Sequence, residues 1–168
     1  MMPNLEIELN PIDFITIGTI GPKGQRVFYL QAGQGGKLVS MVIEKEQSWA
    51  LSEAIKEMME DLDTRIEDRN PGELPPRDMD LREPIEPVFR ISQLGLGYDE
   101  EQDKIVLVAQ EMLTTDGDVD INDETEPSVV RIWCSRKQIR ALSDHAMDTV
   151  RSGRADPKQN GSLVYYWT

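Results

Sequence analysis

The chain has 168 residues, of which 39% are hydrophobic and 29% charged, with 31 acids against 18 Lys and Arg and a net charge of −13. A chain of this length suits one domain that buries roughly 68–70% of its unfolded surface. The acidic balance works against broad binding to nucleic acid or anionic membrane, where Lys and Arg must neutralise phosphate, and the single Cys134 excludes an internal disulfide and a cysteine zinc cage.

The opening residues Met1-Met2-Pro3-Asn4-Leu5-Glu6 lack a basic segment followed by an apolar one, so no signal peptide is expected. No apolar run approaches the roughly 20 residues of a membrane span. The expected location is the cytoplasm.

Phe14-Ile15-Thr16-Ile17-Gly18-Thr19-Ile20 alternates as a half-buried strand does. Gly21-Pro22-Lys23-Gly24 supplies a turn and Arg26-Val27-Phe28-Tyr29-Leu30-Gln31 its partner strand, which together predict a hairpin. After the flexible Gly33-Gln34-Gly35-Gly36 comes a third strand, Leu38 to Ile43. The period then becomes helical, with Gln47, Leu51, Ile55, Met58 and Leu62 on one stripe.

Residues 66–87 carry Pro71, Pro75, Pro76, Pro84 and Pro87, which exclude a regular helix or central strand and predict a connector laid over the surface. Strands follow at Val88–Tyr98, Lys104–Leu113 and Val129–Cys134. Ile139, Leu142, Ala146 and Val150 then form a second helical stripe, with Ser152-Gly153 as its stop. The aromatic segment Leu163-Val164-Tyr165-Tyr166-Trp167 reads either as an extra edge strand or as a docking peptide.

The two halves match. Glu44-Lys45-Glu46-Gln47-Ser48-Trp49-Ala50-Leu51-Ser52-Glu53 aligns without a gap to Ser135-Arg136-Lys137-Gln138-Ile139-Arg140-Ala141-Leu142-Ser143-Asp144, 91 residues on. A repeat of this kind fixes architecture before chemistry. The expected fold is α+β: duplicated β-β-β-α units form one domain, with two helices packed on an antiparallel sheet. Repeat one covers 13–65, the connector 66–87, repeat two 88–153 and the tail 154–168.

Lys45 and Arg136 open the two helices, where a cation faces the positive end of the helix dipole. A cation placed there twice suggests an anion site for phosphate or carboxylate. Gln47, Lys137, Gln138 and Arg140 would complete it, and pairing with nearby acids is the competing explanation. Gly21-Pro22-Lys23-Gly24 has the G-x-x-G form of an RNA-backbone clamp, but strands rather than helices flank it, which favours a plain turn. Asp116 to Glu124 has the alternating oxygens of a calcium loop; Ile121 stands where Gly is required and Pro127 where Glu is required, so an acidic solvated loop is the better reading. His145 is the only histidine and reads as structural or surface-placed, Cys134 ends an apolar strand, and Trp49 fits the edge of the core.

Gly18-Thr19-Ile20-Gly21 leading into Gly24 to Gln31, then Glu44-Lys45-Glu46-Gln47, Arg136 to Leu142 and Gly153-Arg154, resembles a bacterial family catalogued as domain of unknown function 3090. The resemblance implies no activity. Members of that family typically carry a cysteine-rich tail like a zinc ribbon, whereas Arg154 to Gly161 here holds no Cys or His; no metal and no cofactor are carried over. A non-catalytic protein-interaction or adaptor module is the leading expectation, with another protein as partner. A binder of a small anionic ligand or nucleotide phosphate is the alternative, and an enzyme of unknown class the third.

Overall fold

A computed structural model describes residues 5–22, 24–65, 79–113 and 126–152. Seven strands and two helices follow in chain order: β1 (Glu6–Leu9), β2 (Phe14–Ile20), β3 (Val27–Gln34), β4 (Lys37–Ile43), α1 (Lys45–Arg65), β5 (Pro87–Asp99), β6 (Lys104–Glu111), β7 (Val129–Cys134) and α2 (Arg136–Ser152). The chain is α+β, and each strand predicted between Phe14 and Cys134 and each helix stripe falls on one of these elements, although Arg26 lies just before β3 and Met112 and Leu113 lie just beyond β6. Strand β1 was not expected.

The strands form one sheet in the order β1-β7-β6-β5-β4-β3-β2. The sheet is mixed, which corrects the antiparallel expectation. β4 pairs with β5 and β1 with β7 in parallel, while the other four pairings are antiparallel. The reason is topological. Between β4 and β5 the chain passes through α1 and the connector, so it re-enters the sheet from the same end and lies parallel to β4, and β1 takes the corresponding place beside β7.

Residues 10–13 join β1 and β2, which occupy opposite ends of the strand order. Five Cα steps reach at most about 18 Å, whereas a flat seven-stranded sheet would be roughly 29 Å across at strand spacings near 4.8 Å. The sheet must therefore curl until its edges approach. Side chains bridge that closure. Asn10 and Gln34 exchange two hydrogen bonds of 3.0 Å, and the Lys104 Nζ donates to Asn10 Oδ1 at 2.7 Å.

One pairing scheme serves both halves. Offsets of 79, 77 and 91 residues for the first, second and third strands carry Phe14↔Gly33 onto Gln93↔Gln110 and Phe28↔Ile43 onto Ile105↔Cys134. The same offsets carry the parallel pair Glu8↔Arg131 onto Ser40↔Pro87. β1 and β2 together thus correspond to the long strand β5. The link 10–13, which includes Pro11 with no N–H to donate, falls on residues 89–92 under the first-strand offset, and the register shift between Ile91 and Gln93 lies at the end of that stretch.

The inner face of the sheet holds Ile17, Leu30, Met41, Ile105, Leu107 and Ile132, all buried. Leu51, Ile55, Leu62, Ile139, Leu142 and Val150 from the helices join the same cluster, each side chain contributing about 1.5–3 kcal/mol by leaving water. In α1 the fully covered methionine is Met59 rather than the expected Met58, which packs at the cluster's margin. Trp49 also packs at the margin and Cys134 is buried.

The helices cross at two serines 91 residues apart. Ser52 Oγ donates to the Ser143 carbonyl at 2.8 Å, Ser143 Oγ donates to the Ser52 carbonyl at 3.0 Å, and the hydroxyls lie 3.0 Å apart. Arg140, early in α2, pairs with Asp63, late in α1. The helices therefore run antiparallel.

The connector crosses the outer face of β2, β3 and β4. Thr16 Oγ1 donates to the Met79 carbonyl at 2.5 Å, Gln31 Nε2 donates to the Arg82 carbonyl at 2.8 Å, and Arg82 N–H donates back to Gln31 Oε1 at 2.7 Å. The Arg82 guanidinium stacks 3.6 Å from the Phe14 ring centre. Leu81 fills the notch left by Gly18, where a Cβ would come within 2.6 Å of its Cγ. Of the connector, only residues 79–87 are among the described residues; the acidic loop Asp116 to Glu124 and the aromatic segment 163–167 lie outside them.

Candidate functional site

The two helix starts are built alike. Ser135 Oγ accepts from the Gln138 N–H at 3.1 Å, and Gln138 Oε1 accepts from the Ser135 N–H at 2.8 Å, a reciprocal capping box that satisfies two terminal donors. In α1 the Glu44 N–H donates to Gln47 Oε1 at 2.7 Å. The other end of each amide crosses to the opposite half. Gln47 Nε2 donates to the Ile91 carbonyl at 3.0 Å and Gln138 Nε2 to the Ile12 carbonyl at 3.0 Å. These glutamines cap a helix and tie it across the molecule, Gln47 to β5 and Gln138 to the link that precedes β2.

The sequence-selected cations divide between the two starts. Lys45 opens α1 while Arg136, Lys137 and Arg140 lie in the first two turns of α2. Each start is seven residues from the serine crossing, about 10 Å of helix, on opposite sides. The structure therefore does not gather Lys45, Gln47, Arg136, Lys137, Gln138 and Arg140 into one constellation. Arg136 Nη2 donates to Asp103 Oδ2 at 2.8 Å, and Arg140 pairs with Asp63.

Around Arg136 lies a cluster of polar side chains. Tyr98 OH donates to Asp103 Oδ1 at 2.8 Å, opposite the Arg136 contact. Burial alone would raise the Asp103 pKa, but the Arg136 guanidinium and the Tyr98 hydroxyl outweigh it and hold the carboxyl below its ordinary value. Burial and the hydrogen bond to Asp103 push the Tyr98 phenol up. This cluster clamps the β5–β6 turn to the start of α2; a positive φ of 53° at Asp103 marks how tight that turn is.

Two concavities lie beside these elements. One, of about 320 Å³, separates α1 from β5 and is lined by Gln47, Ala50, Leu51, Ala54, Leu94 and Leu96. The corresponding place in the other half is closed, because α2 lies along β2 and Thr149 Oγ1 reaches the Ile17 carbonyl at 3.4 Å. The second is an open groove of about 750 Å³ on the outer face of β5, β6 and β7, with Gly97, Val106 and Trp133 in its floor and Glu100 and Glu101 at its rim.

Among the described residues no group of three His, Cys, Asp or Glu side chains could hold a metal ion. Burial pushes the Cys134 thiol up to about 12, so it stays protonated and unreactive. Gly21 and Gly24 take positive φ at 112° and 88°, as the β2–β3 turn requires. No described helix is long and apolar enough to cross a membrane.

Sequence reasoning missed the outer sheet faces and the serine crossing. Both left traces: Ser52 and Ser143 recur in the repeat, and a glycine inside a strand, as at Gly18 or Gly97, marks a close approach. No curated protein and no solved structure matches the chain. A family model described as protein of unknown function (DUF3090) matches residues 7–159, and the chain belongs to that family.

Proposed function

We propose that this chain is a non-catalytic protein-interaction module made of two copies of one β-β-β-α unit. The two-copy reading is supported by the shared pairing scheme, the reciprocal serine crossing and the paired glutamine tethers. The conspicuous polar groups support a structural role for them: Gln47, Gln138, Asp103 and Ser52 each have hydrogen-bond partners that close the fold.

The observation that carries the interaction reading is the groove between α1 and β5. Its α1 wall presents Ala50 and Ala54, both exposed, and its floor presents Leu51, Leu94 and Leu96. Small residues on a helix beside an apolar floor admit side chains from a partner segment. The same place is filled in the other half, so a single partner site per chain is expected. The acidic surface favours a partner that is basic around its apolar anchor. A lone buried cysteine suits a reducing compartment, which fits the cytoplasm.

The alternative, an anion between paired helix starts, has less support because the starts lie at opposite ends of an antiparallel pair. An enzyme has no constellation to point to among the described residues.

A photo-crosslinking residue at Ala54 in the native cell tests the interaction reading. One defined protein should be captured from position 54 and lost when Leu94→Glu closes the groove, while the same probe at exposed Asp144 captures nothing specific. Equal capture from both positions, or none from position 54, would overturn it.

A further inference from the structure

The connector that follows α1 roofs the outer face of the first half, and the corresponding face of the second half has no such roof among the described residues. Under the strand offsets Gly18 corresponds to Gly97, Thr16 to Gly95, Tyr29 to Val106, Gln31 to Val108 and Val42 to Trp133. Where Leu81 fills the Gly18 notch, the Gly97 notch meets only Val106 Cγ1 at 3.1 Å, and Gly95 has nothing within 4 Å. The polar side chains that hold the connector, Thr16 and Gln31, are replaced by glycine and valine. Phe14 and Ser40 in turn correspond to Gln93 and Arg131, so the second face is apolar along Gly95, Val106, Val108 and Trp133, polar on either side of that strip, and shaped like a seat that is occupied in the first half.

We propose that this seat is taken by the chain's own segment Leu163-Val164-Tyr165-Tyr166-Trp167, which follows α2 as the connector follows α1. The inference rests on the two-copy reading. Three observations favour this occupant. Thirteen residues, 66–78, separate α1 from Met79, and ten, 153–162, separate α2 from Leu163. The groove lies beside the start of α2, because Tyr98 in its wall shares Asp103 with Arg136. A segment leaving the far end must therefore return along a helix of 17 residues, about 25 Å, and ten residues can span about 33–36 Å. Third, five consecutive apolar or aromatic residues suit a groove floor of Gly97, Val106 and Trp133, with Gly95 and Val108 beside it on the same face, as Leu81 and the Arg82 stack suit theirs.

Disulfide trapping in the full-length chain tests it, with Gly95→Cys paired in turn with Cys at positions 163 to 167. Cys134 stays silent because its buried thiol keeps its proton. An intrachain disulfide from at least one pair, at a yield above that of an Asp144→Cys control, supports the proposal. No bond, only an interchain bond, or equal yields with the control would overturn it. A second reading avoids the glycine substitution. In a Trp49→Phe, Trp167→Phe background, removal of residues 162–168 should shift Trp133 emission to the red and increase its quenching by acrylamide; unchanged emission and quenching would overturn docking. Backbone nuclear Overhauser contacts across Gln93↔Gln110 and Ile105↔Cys134 test the two-copy reading separately. With that register intact and no trapping, the docking alone fails.

Discussion

The outer face of β2–β4 and the outer face of β5–β7 share one hydrogen-bond register and end in different surroundings. In the first, Phe14, Thr16, Gln31, Gly33 and Ser40 are all buried beneath residues 79–86. In the second, Gly95 is exposed and Val106, Val108 and Trp133 remain half-buried. Backbone pairing therefore fixes where a seat lies, and side chains decide what sits there. Two polar anchors, Thr16 and Gln31, hold a connector by its backbone groups, where an unpaired buried amide would cost about 1–3 kcal/mol. Valine and glycine at the matching positions offer only area and shape.

The sharpest way to break this comparison is to fill both glycine notches. Gly18→Val must push Leu81 aside, since even a Cβ lies 2.6 Å from its Cγ, and should cost about 1–3 kcal/mol as an overpacking change. Gly97→Val meets only one flexible methyl at 3.1 Å and gains strand propensity on a scale of about 1 kcal/mol. It should leave stability within about 0.5 kcal/mol. Urea unfolding of the pair measures the difference; equal losses would mean the two faces are equally covered.

The glutamine tethers come next. Gln138→Ala removes a cap and the bond to the Ile12 carbonyl from a helix that is closely seated along β2, and should cost about 1–2 kcal/mol. Gln47→Ala removes the same pair of bonds beside the 320 Å³ groove, where water can reach the freed carbonyls of Ile91 and Ser92. Its cost should be about half as large on the same grounds. Thermal or urea unfolding of both variants checks the order, and a larger loss for Gln47→Ala would show that α1 is the better-seated helix.

At the crossing, Ser52→Ala or Ser143→Ala each removes one donor while the other serine keeps its bond. Each should cost about 1 kcal/mol, and the double variant less than their sum, because two apolar partners leave no hydroxyl unsatisfied. Strict additivity in a double-mutant cycle would show that the two hydroxyls act independently.

Much of this arrangement was legible in the residues. The helix stripes carry it, since Leu51, Ile55, Leu62, Ile139, Leu142, Ala146 and Val150 are all buried and fall at the spacing that a helix face requires. The recurrence of Gln47 and Gln138 was visible too, but their chemistry was not. A glutamine beside a cation at a helix start reads as an anion donor, whereas its acceptor oxygen is used by its own cap and its amide by a distant backbone carbonyl. That second partner is 44 residues away for Gln47 and 126 for Gln138, and no local pattern encodes such a distance. Strand β1 escaped for a related reason: only four residues long, with Glu6 and Glu8 facing outward, it gains its stability from pairing with β7 rather than from its own composition. Gly97 reads locally like any strand glycine, and only comparison with Gly18 gives it a meaning.

The smallest effect concerns Arg136, the cation most exposed to the anion-site question. Asp103 already serves as its counter-ion at 2.8 Å, so an incoming phosphate would have to displace a carboxylate tied on its other side by Tyr98. Asp103 has its pKa lowered on folding, burial being outweighed by Arg136 and Tyr98. The sign follows directly: the folded state binds this proton less tightly than the unfolded chain does. Its contribution is therefore present above the ordinary aspartate value and is lost as pH falls through the lowered one. The carboxylate is 47% exposed, so solvent screening keeps the contribution small. Carboxyl chemical-shift titration should place the Asp103 midpoint below that of an ordinary aspartate, and Arg136→Ala should move it up. If inorganic phosphate also moves it up in the parent chain, phosphate competes for Arg136 and the start of α2 is an anion site after all; if the midpoint stays fixed at every phosphate concentration, Arg136 belongs to the clamp between the β5–β6 turn and α2.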